Sequence, residues 1–568
     1  MIAFLSKSRI KKNIPIIIIL LIAFLVRLPG INFGFPLWLV GDEVSHIFGA
    51  LKMMELKTLL PVLHHQDFFG IMYYTPYLSF VYIGPFILAA GLKFLFFAGT
   101  IEEFKYFSTL DVSYFFTIAR LISVLFGVAT VWLVYESAKN LFKSEYSAIF
   151  SALFLSFSFL HVNYSHIARH WTIVTFFFAL VLYILSKELS IRKKILYTSI
   201  TVGIGMGFNV QALFILVFAF FWILIVDKVS IKDVIKKLWL WRSFAIFAVL
   251  FAIPYAIWPV GYGYLSMVSN SSAVSSIDKD IAGLLTGFWF YISDLLKAEP
   301  IFLLFIIIGS LAMFVNKRKY FYSFYSFFIF FIISFYLFFS QIDRFLLVLY
   351  PFVAVLGGYG FAFVLEKIEA KKQIYFYGII IIVLSLIAIP IFKLNYLLLK
   401  NDTRVQAIEW IDKNIDENSK ILVLSPLMRL NPTKYAIEEQ QSIDPNSIRQ
   451  ADKARLALGD KFIEDPQFHA LNLYTSNSYP FFKNIYKYLK NNNYEYVVYN
   501  KEFAREKGAT HLLEQINGSI AEFKGSYSYG LAQGNQNIPD GFGRGLKELF
   551  TSESLGPNII IAELNYEN

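Results

Sequence analysis

Apolar runs long enough to cross a bilayer recur from Ile14 to Leu397, and nothing else in this 568-residue chain restricts its fold as strongly. Inside hydrocarbon every backbone N–H and C=O must be satisfied within the segment, so each run is expected to be a helix. The runs are Ile14 to Leu28, Tyr114 to Val134, Ser147 to Leu160, Trp171 to Leu185, Ile195 to Val210, Ala212 to Val226, Phe244 to Tyr262, Ile301 to Val315, Tyr320 to Phe339, Phe345 to Leu365 and Tyr375 to Leu397. That predicts eleven crossings. A composition 57% hydrophobic and 16% charged agrees with a polytopic membrane protein. With no cysteine, disulfides, thiolate metal sites and a thiol nucleophile are excluded together.

Loop charge sets the expected orientation. Residues 400–568 hold 19 basic against 22 acidic side chains, and the preceding part 32 against 19. That excess is dispersed in short loops between apolar runs, which points to topology signals rather than nucleic-acid binding. A further apolar stretch, Tyr77 to Phe97, decides the count. Left out as an element that lies in or re-enters the outer leaflet, interrupted by Gly84, Pro85 and Gly91, it leaves 21 of the 32 basic residues on the side of the N-terminus. The N-terminus is then cytoplasmic. No small-x-small cleavage site follows the first run, so a retained helix is expected rather than a signal peptide.

After Leu397 the composition becomes that of a soluble domain. Thr403 to Asn414 and Phe481 to Leu489 have helical spacing, while Ile421 to Leu424, Tyr494 to Tyr499 and Asn558 to Leu564 read as strands. We expect a transmembrane domain over 1–397, with an outer loop at 30–113, and an extracytoplasmic α/β domain over 398–568. Gly525 to Gly545 reads as a long loop or lid.

Ionisable groups beside apolar runs carry the functional information, because charge near hydrocarbon needs a partner or a task. Asp42 and Glu43 follow the first run within FGFPLWLVGDEVSHIFGALKMM, ahead of an amphipathic helix with Val44, Ile47, Phe48, Leu51 and Met54 on one face. A carboxylate there can serve as general base, taking a proton from an acceptor hydroxyl. The pair also invites a divalent cation, Mg or Mn, and can equally be a solvated loop pair. HVNYSHIARHWT, from His161 to Thr172, gathers His161, His166, His170 and Arg169 in one short turn. Histidine spacings of five and four match no recognised metal motif, so contact with a phosphate or substrate positioning is preferred. Arg344 is either a snorkelling anchor or a planar grip on phosphate. His64, His65 and Asp67, with the aromatic patch Phe68 to Tyr77 that includes Tyr74, line a substrate pocket or anchor the chain at the interface. Gly203, Gly205 and Gly207 lie within an apolar run and read as close helix packing. No P-loop, HExxH or GxSxG occurs, so ATP-driven transport and serine hydrolysis have no support.

In this order the pieces resemble a family: GDEVSH, RLISVLFGVATVWLVYESAKNLF, SHIARHWTIVTFFFALVLYIL, DRFLLVLYPFVAVLGGYG and DTRVQAIEWIDKNIDENSKILV. The chain is similar to GT-C type glycosyltransferases, the broad group of protein O-mannosyltransferases and lipid A aminoarabinose transferases. The resemblance implies a sugar donor carried on polyprenyl phosphate and transferred with inversion to a glycan, lipid or protein acceptor in the cell membrane. It makes Asp42 the base or an acceptor-orienting acid, Glu43 its neighbour, and Arg169 and Arg344 the groups that meet the carrier phosphate, with His166 and His170 beside them. Two departures from the pattern matter. Trp171 stands where many relatives have aspartate, which weakens a metal held from both loops, and Asn209 and Gln211 stand near where a lysine is frequent. The competing readings are a lipid-linked glycan flippase or exporter, and a protein of the same fold that binds carrier lipid without turnover. Apart from Arg27 and Arg120 the runs hold almost no charge, which argues against a transport path.

Overall fold

The structure, a computed structural model, describes residues 7–566 except 41, 69–70, 98–99, 102–103, 105–110, 260–280, 339–342, 370–372, 449–451, 454–455, 457–465, 474–475, 477–478, 517 and 526–544. The expected lid at Gly525 to Gly545 lies almost wholly outside the described residues, as does Gln341 before Arg344.

Among the described residues the apolar runs are largely helical, and further helices lie between them. The helices are α1 (Lys7–Val26), α2 (Glu43–Glu55), α3 (Tyr77–Phe97), α4 (Ser113–Phe142), α5 (Glu145–Ser156), α6 (Phe159–Ser165), α7 (His170–Ser186), α8 (Ile191–Gly205), α9 (Phe214–Ile225), α10 (Leu238–Ile257), α11 (Ile281–Ala298), α12 (Pro300–Asn316), α13 (Arg318–Phe338), α14 (Tyr350–Glu369) and α15 (Gln373–Leu399). Among the described residues five helices are long and apolar enough to cross a membrane, and up to seven if each sharply bent pair counts once. Shorter apolar helices at Asn13–Val26, His170–Ser186 and Val210–Ile225 make up part of the difference from the eleven crossings expected.

Two expectations need correction. Tyr77 to Phe97 is one unbroken 21-residue helix. Pro85 is carried inside it, and a side chain at Gly84 or Gly91 would meet nothing within 4 Å, so neither glycine marks a break. The run Ser147 to Leu160 is bent instead: α5 and α6 meet at 57°. Ser158 restarts the helix there, its hydroxyl accepting from the His161 amide at 3.3 Å.

α14 is the centre of the bundle, packed against α4, α5, α7 and α12. Its approach to α12 depends on glycine. A Cβ at Gly309 would fall 1.9 Å from the Leu356 carbonyl oxygen, and Gly360 lies opposite, so the two backbones nearly touch. At the outer surface of the bundle Ile374, Ile381 and Leu399 of α15 are exposed, an apolar face suited to lipid.

Beyond α15 and α16 (Thr403–Asn414) the chain forms a five-stranded sheet: β1 (Lys420–Leu424), β2 (His469–Asn472), β3 (Tyr496–Tyr499), β4 (Ala521–Phe523) and β5 (Ile559–Glu563), in the order β2-β1-β3-β5-β4. β1 runs parallel to β2 and β3, and β5 is antiparallel to β3 and β4. Both faces are covered, which is why β1 reads as a continuous apolar run. Ile421 and Val423 pack with Ala407 and Ile411 of α16, whereas Leu422 and Leu424 pack with Phe482, Ile485 and Leu489. The expected helix Phe481 to Leu489 is two pieces that break at Asn484.

The sheet region is tied to the helices. Val26, Phe33, Leu39, Leu394 and Leu398 share a core with Val405, Leu549 and Leu555. Lys393 donates to the Ser552 carbonyl at 2.8 Å, and the Thr403 amide to that of Leu555 at 2.9 Å.

Candidate active site

The acid pair sits at the start of α2, where negative charge suits the helix dipole. Adjacent in sequence, the two carboxylates face different partners. Glu43 is fully buried and receives Arg120 Nε at 2.9 Å on one oxygen and its terminal nitrogen at 2.7 Å on the other. The Ala168 amide adds a third bond at 2.7 Å. Arg120, from α4, also donates to the carbonyls of Ile31 and Phe33 at 2.8 and 2.9 Å. This pair therefore holds the first loop, α4 and the α6–α7 turn in one arrangement.

Asp42 faces outward from that lock. Its side chain is 29% exposed and forms an ion pair with Arg169, the residue after Ala168, while the Tyr74 hydroxyl donates to the same oxygen at 2.9 Å. Thus the α6–α7 turn meets both acids, with a backbone amide on one and a guanidinium on the other. Burial pushes the Asp42 carboxyl up, but Arg169, the Tyr74 hydroxyl, Arg344 and His46 outweigh it and hold it below the usual carboxylate range.

Arg344 reaches the site from a short 3-10 helix, Asp343–Leu349, ahead of α14. Its guanidinium carbon lies 5.5 Å from the Trp171 ring centroid, and that of Arg169 lies 5.7 Å from the same ring. Trp171 is itself braced edge-on by Phe345, with centroids 5.5 Å apart. One indole thus supports two buried cations that would otherwise repel. Between Arg169 and Arg344, the one carboxylate seen among the described residues is Asp42.

Two histidines complete it. His46, one helical turn beyond Asp42 on α2, stacks on Tyr74 at 5.0 Å and 24°, and meets His170 edge-on at 5.7 Å. Burial and then Arg169 depress the His46 imidazole to about 3, against the opposing pull of Asp42, so it is neutral.

Of the residues singled out in the sequence, the structure brings together Asp42, Tyr74, Arg169, His170 and Arg344. His161 lies elsewhere, its Nδ1 against Arg27 at 2.8 Å. Arg27 also donates to the carbonyls of Ala23, Leu155 and Ser156, which places both residues in a buried joint between α1 and the α5–α6 bend. His166 turns its Nδ1 to the Val162 carbonyl at 2.9 Å. His64 faces Asp67 at 3.8 Å in a half-exposed segment, and His65 opens the adjoining short helix. Sequence reasoning missed His46; its four-residue spacing from Asp42 was the available signal. Gln211 is buried with its amide capped by Asn209 at 2.8 Å.

The donor set does not fit a divalent cation. Glu43 spends both oxygens on Arg120 and Ala168, Asp42 faces a guanidinium, and no group of three metal-binding side chains occurs among the described residues.

This is a multi-pass helical membrane protein with a C-terminal sheet, and its resemblance is to the GT-C type. Residues 113–258 match the family model described as dolichyl-phosphate-mannose-protein mannosyltransferase. No curated protein sequence matches the chain. Similar solved structures include the apo oligosaccharyltransferase of Archaeoglobus fulgidus, at 13% identity and a TM-score of 0.45, covering 89% of this chain and 73% of that one. ArnT of Cupriavidus metallidurans bound to undecaprenyl phosphate is similar at 12% identity and a TM-score of 0.43, covering 90% and 96%. Its apo form gives 12%, 0.45, 91% and 97%.

Proposed function

We propose that the protein is an integral-membrane glycosyltransferase that moves a sugar from a polyprenyl-phosphate carrier to an acceptor hydroxyl at the outer face of the cell membrane. The observation that carries this reading is the convergence of one ionised carboxylate and two buried guanidinium groups at the rim of an apolar bundle. The family match over 113–258 supports it.

The acceptor oxygen attacks the anomeric carbon as the bond from that carbon to the phosphate oxygen breaks. Its proton passes to Asp42, and the carrier leaves as polyprenyl phosphate. Charge grows on the departing phosphate, where Arg169 and Arg344 meet it in fixed positions. Attack on the face opposite the leaving group inverts the anomeric carbon. Arrival of the phosphate gives Arg169 a second anion, which loosens its hold on Asp42 and raises the basicity of that carboxylate. Glu43 is a positioning residue in this scheme. The acceptor is a protein, lipid or glycan, and residues 398–568 form an outer domain that selects or shields it; the N-terminus is cytoplasmic.

The test is release of carrier phosphate from a panel of synthetic polyprenyl-phosphate sugars by the full chain in vesicles, with membrane extract as acceptor, with and without chelator. Release that survives the chelator is expected. No release from any donor contradicts the reading.

A further inference from the structure

Three buried ring atoms beside Asp42 serve no purpose in the scheme above. Among the described residues, Nε2 of His46 and both ring nitrogens of His170 have no hydrogen-bond partner, although His46 is 1% and His170 0% exposed. Buried polar atoms in this state are rare because their desolvation goes uncompensated. The two rings flank Tyr74: His46 stacks on it, and His170 leans against it at 5.0 Å and 53°. Tyr74 in turn donates to Asp42. Asp42 and His46, four residues apart, share one face of α2.

Resting on the glycosyltransferase reading, we infer that His46 and His170 form the subsite that reads the hydroxyl groups of the donor sugar. The division of labour follows from hydrogen-bond chemistry. A neutral imidazole offers one donor and one acceptor, as a sugar hydroxyl does. Phosphate oxygens only accept and are matched by the guanidinium groups of Arg169 and Arg344. Tyr74 adds an aromatic face between the two imidazoles. The subsite selects an uncharged sugar. Glu43 is committed to Arg120 and Asp42, in the scheme above, to the acceptor hydroxyl, so among the described residues of this cluster no carboxylate remains to meet a sugar ammonium.

The experiment measures equilibrium binding to the full chain in vesicles of three probes: bare undecaprenyl phosphate, the same carrier bearing a neutral hexose, and the carrier bearing an amino sugar. Wild type binds the hexose carrier about tenfold more tightly than the bare carrier, the worth of one or two hydrogen bonds. The amino-sugar carrier gains nothing. His46→Phe and His170→Phe, which keep an aromatic ring, abolish the hexose preference, read in each variant as the ratio of hexose-carrier to bare-carrier affinity. An intact preference in both variants, or tighter binding of the amino-sugar carrier, overturns the inference. If a phenylalanine variant loses the bare carrier as well, the leucine variants decide: lost hexose preference with the bare carrier still bound supports the subsite, and retained preference overturns it. Because binding is read, absence of turnover would contradict the transferase reading alone.

Discussion

Glu43 gives both carboxylate oxygens to Arg120, at 2.9 and 2.7 Å, so the second acid of the pair is a structural lock beside the one proposed to react. Both members are almost fully buried. Removing one partner strands the other charge, at a cost of about 3–5 kcal/mol. Arg120→Met is therefore expected to lower the thermal midpoint of the detergent-solubilised protein sharply. The double variant Glu43→Leu with Arg120→Met recovers much of the loss; a double variant as unstable as the single one would contradict the lock.

Trp171 holds two like charges in place, a contact worth on the order of 0.5–2 kcal/mol per cation. Trp171→Leu is expected to weaken binding of bare undecaprenyl phosphate by about tenfold. Trp171→Phe restores most of it. A purely space-filling role predicts no difference between leucine and phenylalanine.

The pH profile follows from the direction of the Asp42 shift. Burial raises this carboxyl, and Arg169, Tyr74, Arg344 and His46 together lower it further than burial lifts it. Its stabilising contribution is complete above the unfolded value of about 3.9 and is lost as pH falls through the depressed folded value. His46, held near 3 by burial and Arg169, adds no step near neutrality. Transfer should stay level on the acid side down to about pH 5 and fall only below it. An acid limb near pH 6.5 would contradict the assignment.

Glu439 organises the sheet region. It pairs with His469 and accepts from the hydroxyls of Tyr488 and Tyr494, at 2.5 and 2.9 Å. Glu439→Gln should destabilise this region by about 1–3 kcal/mol. Limited proteolysis beyond residue 400 should quicken while the helical part stays resistant.

Much of this architecture is legible in the sequence because burial in lipid demands long apolar runs, and α12, α13 and α15 fall where those runs predict. β1, β3 and β5 were visible as dense apolar segments. β2, of sequence HALN, and the three-residue β4 carry too few residues to show a period, and only their neighbours make them strands. Asp42 stood out because an acid beside an apolar run is costly. The histidines were less legible: His161, His166 and His170 are close in sequence, yet His161 on α6 meets Arg27 while His170, at the start of α7, meets Tyr74 and His46. His46 is not marked by its local sequence because its partner His170 comes from a distant turn, which Glu43 and Asp42 hold in place through Ala168 and Arg169.

On the proposed mechanism Asp42 takes the acceptor proton while the two arginines hold the carrier phosphate. Single-turnover transfer by Asp42→Asn, with donor binding measured on the same vesicles, tests it most directly. The account predicts a fall of about 10²–10⁴ in rate with carrier binding retained. Transfer at the wild-type rate, with donor bound, would contradict it.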